Sequence, residues 1–342
     1  MRHEDTTRTP HTAAPAVLRR RTWVGAAALV AGAAVLGIGA QAHAQDFPSR
    51  AINLVVGFPP GGSNDIVARI LAPRLGELLG VPVVVVNKPG SNALIGTDFV
   101  ARSAPDGYTI TLASASPLVI SPNTYSKMPF DPVKDLTGIT SVAATPELIA
   151  VHPSVPANTL QELVALSKTT DINFAVTAVG SAPHVAGVAV ERATGAKWTY
   201  VPYKGGSQAV TDTVAGQTQV IMNGMLATLP HVQSGRLKVL GISKKTRMPL
   251  VGDVPTLAEQ GVTDFESGTW QGALVANGTP AAIIARLNAE LIKAIRSPDV
   301  RARLTGQGAE VVTMQSAEQD RFFESERKRW GAVVAQANIK LD

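Results

Sequence analysis

An α/β fold of two lobes, with largely parallel sheets flanked by helices, is what this sequence predicts. Two observations carry the prediction. Apolar, β-branched runs alternate with stretches of helical period, and the alternation is interrupted twice by extended segments. The strand-like runs are residues 52–58, 83–86, 108–112, 174–177, 220–222 and 239–242. They read as strands covered on both faces, the pattern of parallel sheets. Residues 66–79, 160–167, 185–193 and 209–214 supply helices between them. Mixed α+β packing is the alternative reading.

Helix ends are marked. Thr279 is the expected N-cap and Pro280 the expected first helical residue, ahead of Ile283, Ile284, Leu287, Leu291 and Ile295 at three- and four-residue steps. The segment 317–337, with Phe322, Phe323, Trp330, Val333 and Val334, reads as another amphipathic helix that packs on the first lobe. The two interruptions, 136–153 and 265–277, are expected to be crossings between lobes. The lobes are then discontinuous: residues 45–140 and 252–342 form the first, and 141–251 the second. Paired crossings of this kind are what a hinge-closing binding protein requires.

Arg19, Arg20 and Arg21 precede an uncharged Ala/Gly/Val/Leu run over 24–40, and Ala42-His43-Ala44 follows with the small-x-small pattern of a cleavage site. Residues 1–44 are therefore expected to be a signal peptide cut near Ala44–Gln45. A membrane anchor is the alternative, disfavoured by a run barely long enough to span a bilayer. Arg20-Arg21-Thr22-Trp23-Val24 resembles a twin-arginine motif, and the choice between that export route and the general one stays open. The chain has no Cys, which removes disulfides, thiolate nucleophiles and lipid attachment at an N-terminal Cys. A soluble periplasmic protein is the expectation. The formal charge is +5, but the arginines of residues 1–44 account for much of it, and runs such as Lys244-Lys245 or Arg327-Lys328-Arg329 carry no interleaved aromatics. No nucleic-acid partner is expected.

Two loops share one design. The strand at 52–58 runs into Phe58-Pro59-Pro60-Gly61-Gly62-Ser63-Asn64-Asp65, where glycines let the backbone approach a ligand and the first helical N–H groups lack partners. The strand at 174–177 passes into Ala178-Val179-Gly180-Ser181-Ala182-Pro183-His184, with Pro183 suited to the first helical position. Each is either an anion site or an ordinary strand-to-helix turn, Ser63 capping the helix in the first loop. Facing each other across a cleft, the two helix starts would clamp a carboxylate. Dipoles supply about 0.3–1 kcal/mol each, whereas micromolar affinity needs about 8 kcal/mol, so several charge-assisted hydrogen bonds must add to them. Asp65 is equally explained by its first-turn position, and His184 by a structural role. His152 and His231 have no partners at ligand spacing. The sequence has no Walker loop, dinucleotide fingerprint, Gly-x-Ser-x-Gly elbow or His-Glu-x-x-His, so no cofactor, metal site or catalytic residue is expected.

A resemblance joins these pieces. Phe58-Pro59-Pro60-Gly61-Gly62 through Asp65, Asn87-Lys88-Pro89-Gly90, Ala104-Pro105-Asp106-Gly107-Tyr108-Thr109 and Pro129-Phe130-Asp131-Pro132-Val133-Lys134-Asp135 occur in that order, as do Gly180-Ser181-Ala182-Pro183-His184, Val201-Pro202-Tyr203-Lys204-Gly205, Leu229-Pro230-His231, Asp253-Val254-Pro255-Thr256 and Gly278-Thr279-Pro280. The ordered set resembles the Bug receptors, the TctC type of periplasmic solute-binding protein. The resemblance implies a two-lobed Venus-flytrap receptor that binds an organic acid and delivers it to a permease of the tripartite tricarboxylate transporter type. A ligand-sensing receptor for a membrane signalling partner is the alternative, and an enzyme acting on a small acid a more distant one.

The expected ligand-binding residues are Phe58, Pro60, Gly61, Gly62, Ser63 and Asp65 from the first loop, and Thr177, Gly180, Ser181, Ala182 and His184 from the second. Ser114, Ser116, Tyr203, Asn223 and Trp270 complete the set. Two departures from the family pattern bear on the ligand. Ser91-Asn92-Ala93 replaces a Gly-rich run and adds polar side chains near one edge of the cleft. Asn223 stands where many relatives carry Asp, which weakens the case for an ammonium group. A mono- or dicarboxylate without an amino group, aromatic acids included, is the expected ligand, bound by a monomer.

Overall fold

In the computed structural model, residues 47–263 and 267–341 are described. The expected signal peptide with its cleavage point, and Phe265 at the start of the second expected crossing, lie outside the described residues.

The apolar runs form two parallel blocks. In the first, β1 (Ile52–Val56) lies between β2 (Val83–Asn87) and β3 (Thr109–Ser114), parallel to both. The connections carry α1 (Ser63–Leu79) and α2 (Leu94–Ala101). In the second, β5 (Asn173–Val176) lies between β6 (Thr199–Pro202) and β7 (Val220–Gly224), again parallel. Around this block run α3 (Leu160–Leu166), α4 (Ala182–Thr194), α5 (Gly206–Val214) and α6 (Met225–Gln233). Leu54, Val55, Phe174 and Val176 are wholly buried, as strands covered on both faces must be.

The two expected crossings are both strands, and they are antiparallel because the chain leaves along one and returns along the other. β4 (Leu136–Val151) pairs over 136–146 with β9 (Gly268–Ala276). From Glu147 onward it pairs with β7 and with β8 (Lys238–Ile242). One sheet results, in the order β2-β1-β3-β9-β4-β7-β5-β6. The expected parallel character belongs to the two blocks, and β4 and β9 add antiparallel pairs between them.

The C-terminal helices close the first block. α7 (Ala281–Arg296) and α8 (Pro298–Thr305) precede the short β10 (Glu310–Val311), and the chain ends in α9 (Ser316–Ala337). The stripe on α7 buries Leu287, Leu291 and Ile295. Its start is one residue later than expected: Pro280 is the N-cap, and the Thr279 hydroxyl donates to the Ala276 carbonyl at 2.7 Å instead of capping the helix. Phe323, Trp330 and Val334 of α9 join Val55, Ala113 and Leu274 in one core, together with Ala182 and Val185 of α4. No helix among the described residues is long and apolar enough to cross a membrane.

Candidate functional site

The first loop is shaped from beneath by Asp65. Gly61 turns with φ +82°, a left-handed conformation that favours glycine. The Asp65 carboxylate, nearly inaccessible, accepts the Gly61 N–H at 2.9 Å, the Asn87 amide at 2.9 Å and Arg69 Nε at 2.8 Å. Burial opposes its ionisation, but the bonds from Arg69, Gly61 and Asn87 outweigh that and hold its pKa below the usual carboxylate range. Gly62 is the N-cap of α1 and no side chain caps the helix, so Ser63 is its first residue and not its cap. Pro60 and Gly61 are exposed at the loop's outer edge.

The second loop holds itself together. Ser181, wholly buried, caps α4 by accepting the His184 N–H at 3.4 Å and donates its own proton to the Ala178 carbonyl at 2.7 Å. His184 Nδ1 accepts the Gly180 N–H at 3.1 Å, and its ring stands edge-on to Tyr200 with centroids 4.8 Å apart. Burial pushes the imidazole down to about 4, so the ring is neutral. The Gly180 carbonyl accepts from the Asn92 amide at 3.2 Å. That bond gives Asn92, expected at the edge of the cleft, a place between the loops.

Between the loops lies a narrow cleft of about 50 Å³, lined from the first block by Phe58, Gly62, Ser63, Asn64, Ser114 and Ser116. Thr177, Ala182, Pro183, Gly206, Asn223 and Gly224 line it from the second, with Glu147 and Thr269 from the crossing strands. The blocks meet closely here. A β-carbon on Gly224 would come within 2.7 Å of Ser63 Oγ; within the second block, one on Gly206 would come within 2.5 Å of Asn223 Oδ1. Asn223 is held by Thr177 at 3.5 Å and Thr228 at 3.3 Å. The starts of α1, α4, α5 and α6 all open on this space, and none of the described residues lining it is Lys or Arg.

Several expected residues stand behind the cleft. Asp65, Gly180, Ser181 and His184 form the supports just described. Tyr203 turns into the small core around Ala175, Val210 and Ile221. Trp270 needs correcting outright: it faces away from the cleft, stacks on Phe323 with centroids 5.1 Å apart, and donates to Glu326 at 2.9 Å. Strand alternation explains the miss, since the next residue, Gln271, donates to Asn64 on the cleft side at 3.2 Å. Trp270 lines a larger cavity of about 800 Å³ behind β4 and β9, with Phe322, Arg329 and Lys244. Size favours that cavity; the convergence of helix N-termini favours the narrow cleft for an anion, although α4 adds its dipole there and no free N–H, since Ala182 donates to Ser116, Pro183 has no N–H and His184 is capped by Ser181. Sequence reasoning missed Asn64, Glu147, Gly206, Gly224 and Thr269. For Glu147 a signal existed, a lone carboxylate in the otherwise uncharged run 136–151. Among the described residues no group of three His, Cys, Asp or Glu side chains could hold a metal ion.

Two parallel blocks tied by a long crossing strand and its return, with helix starts from both opening on one cleft, define the two-lobed solute-binding proteins of the periplasm. Residues 67–339 match the TctC family, described as the tripartite tricarboxylate transporter family receptor, and the chain belongs to that family. It is 36% identical over 311 residues to Protein BugT of Bordetella pertussis, covering 90% of this chain and 95% of BugT. The structure of R. palustris Rpa4515 with adipate is similar at a TM-score of 0.83 and 30% identity, covering 86% of this chain and 99% of Rpa4515. MatC from Rhodopseudomonas palustris with bound malate is similar at 0.79 and 30% identity, covering 84% of this chain and 100% of MatC. The family is one of solute-binding receptors rather than enzymes.

Proposed function

We propose that this protein is a periplasmic receptor that captures a small mono- or dicarboxylate without an amino group and delivers it to a membrane permease of the tricarboxylate transporter type. One observation carries the reading: four helix starts, one from the first block and three from the second, open on a single cleft whose described lining contains no cationic side chain. An anion there is held by backbone N–H groups and by the hydroxyls and amides of Ser63, Ser114, Ser116, Thr177 and Asn223. The four dipoles together supply only about 1–4 kcal/mol, so charge-assisted hydrogen bonds of about 1.5–3 kcal/mol each make up the affinity. Adipate and malate, the acids in the two related structures, lack an amino group, and Asn223 offers no counter-charge to an ammonium, which leaves Glu147 as the one carboxyl in the described cleft lining.

Residues 1–44 are removed on export, near Ala44–Gln45, and the monomer consists of a lobe of residues 45–140 and 252–342 and a second of 141–251. β4 and β9 then serve as the hinge. The cleft has room for a few waters, so a whole diacid enters only when the lobes part. A thermal-shift screen of organic acids tests the reading. Dicarboxylates, keto acids, hydroxy acids or aromatic acids are expected to raise the melting temperature; a response to aspartate or glutamate alone would overturn it.

A further inference from the structure

One group in the cleft wall is ionisable, and the reading above leaves it unused. Glu147 sits where β4 passes from its pairing with β9 to its pairing with β7, and it is wholly buried. Its Oε2 accepts the Ser267 hydroxyl at 2.7 Å, and its N–H donates to Ser243 Oγ at 2.9 Å. Its Oε1 has no hydrogen-bond partner among the described residues. Asn64, at the start of α1 in the facing wall, likewise has an unpartnered Nδ2.

Resting on the reading that this cleft takes a carboxylate, we propose that Glu147 is its specificity-determining residue and enters the complex as the neutral acid. The Oε1–H donates to a ligand oxygen, so above neutral pH capture takes up close to one proton from solvent for each acid bound.

The argument is one of charge. A ligand carboxylate set beside an ionised Glu147 in a water-poor cleft, with no cation between them, raises the Glu147 pKa further and favours its neutral form. The groups facing Glu147 are neutral on nearly every side: Asn64 of α1, Asn223 of β7, Ser243 after β8, and Ser267 and Thr269 at the start of β9. Arg329 of α9 is the charge that acts on it, from behind, and its guanidinium binds Glu326 at 2.7 Å. Lys244, Lys245, Glu310 and Glu326 line the cavity on that far side, where Lys244 pairs with Glu310. Burial pushes the Glu147 carboxyl up to about 7, opposed in part by Ser267 and Arg329, so a proton is within reach near neutrality.

Isothermal calorimetry on the wild type and Glu147→Gln, with malate, adipate and aspartate as probes in buffers of different ionisation heat from pH 6 to 8.5, tests this. The wild type is expected to take up close to one proton per diacid at pH 8 and to lose affinity about tenfold per pH unit above 7. Glu147→Gln keeps a neutral donor and is expected to bind with no proton uptake and a flat pH profile. Diacid binding by the wild type without proton uptake overturns the inference and leaves the receptor reading standing. So does a preference for aspartate that the variant loses, which would mean an ionised Glu147. No binding of any organic acid by either protein overturns both. If the variant fails to fold, the wild-type proton count alone decides.

Discussion

Pro59 lies against Gly205, so close that a β-carbon at position 205 would come within 2.5 Å of the proline Cδ. Gly205 has φ −179° and ψ 162°, an extended conformation any residue adopts, so the glycine is required by what approaches it and not by its own backbone. Pro59 belongs to the loop that starts α1, and Gly205 is the N-cap of α5. Their contact therefore sets how near the helix starts of the two blocks can come. Gly205→Ala is expected to hold them apart, weakening acid binding by about tenfold, the loss of one good hydrogen bond. Calorimetry measures this, with a melting curve to check that the ligand-free fold is intact. Unchanged affinity would remove this contact from closure.

Gly62 offers a cleaner block. Its φ of −81° and ψ of 167° suit any residue, and the nearest atom to an added β-carbon is the Pro59 carbonyl oxygen at 3.8 Å. Valine is therefore tolerated by the fold, yet its methyls enter a cleft with about 50 Å³ of space. Gly62→Val is expected to abolish thermal-shift responses to organic acids while leaving the ligand-free melting temperature within a few degrees. A full response in the variant would remove this loop from the site.

Asp65 acts through the loop and not on the ligand. Its removal leaves the Gly61 N–H without its acceptor, the Asn87 amide with the Phe58 carbonyl alone and Arg69 with the Asn87 carbonyl alone. Asp65→Ala is expected to cost about 1–3 kcal/mol of stability, the order of a lost charge-assisted hydrogen bond or two, and to weaken acid binding as Gly61 loses its fixed turn. Urea denaturation gives the first quantity and calorimetry the second. Full stability in the variant would mean that the loop is shaped without it.

Much of this was legible because local chemistry decided it. The run ending at Phe58 reads as a strand covered on both faces, and Gly61 and Gly180 mark left-handed turns, with φ of +82° and +71°. Trp270 was misplaced because strand alternation is certain from sequence while its phase is not, and Gln271 took the cleft-side position. Gly205 and Gly224 carry no local signal, since each is small to admit Pro59 or Ser63 from residues distant in sequence. Glu147 was visible as a lone charge, but its place in the cleft follows from β4 changing partners at that residue.

His184 gives a prediction in acid. Its Nδ1 accepts from the Gly180 N–H, which leaves the proton of the neutral ring on Nε2. Burial lowers its pKa to about 4, whereas an unfolded histidine titrates near 6.5. The folded state thus binds fewer protons than the unfolded one between those values. The stability this contributes is complete above pH 6.5 and is lost as pH falls through 4, by up to roughly 3 kcal/mol. Between pH 7 and pH 4.5 the wild type is expected to lose more stability in urea denaturation than His184→Gln, whose amide takes up no proton. An NMR titration midpoint near 6.5 would show that the ring is not buried as described.

Glu147 predicts the opposite slope. Burial raises its pKa from the ordinary 4.5 to about 7, with Ser267 and Arg329 pulling it back only in part. Between these values the folded protein holds a proton that the unfolded chain has released. Stability from this group is therefore complete below pH 4.5 and is lost as pH rises through 7, a cost of roughly 3 kcal/mol by pH 8. Glutamine keeps the size of the side chain and can still accept from Ser267, but has no charge to bury. Glu147→Gln is expected to match the wild type near pH 4.5 and to be the more stable protein at pH 8, in urea denaturation without ligand. Equal stability at both pH values would mean that the carboxyl is better paired when ionised than its single bond to Ser267 implies.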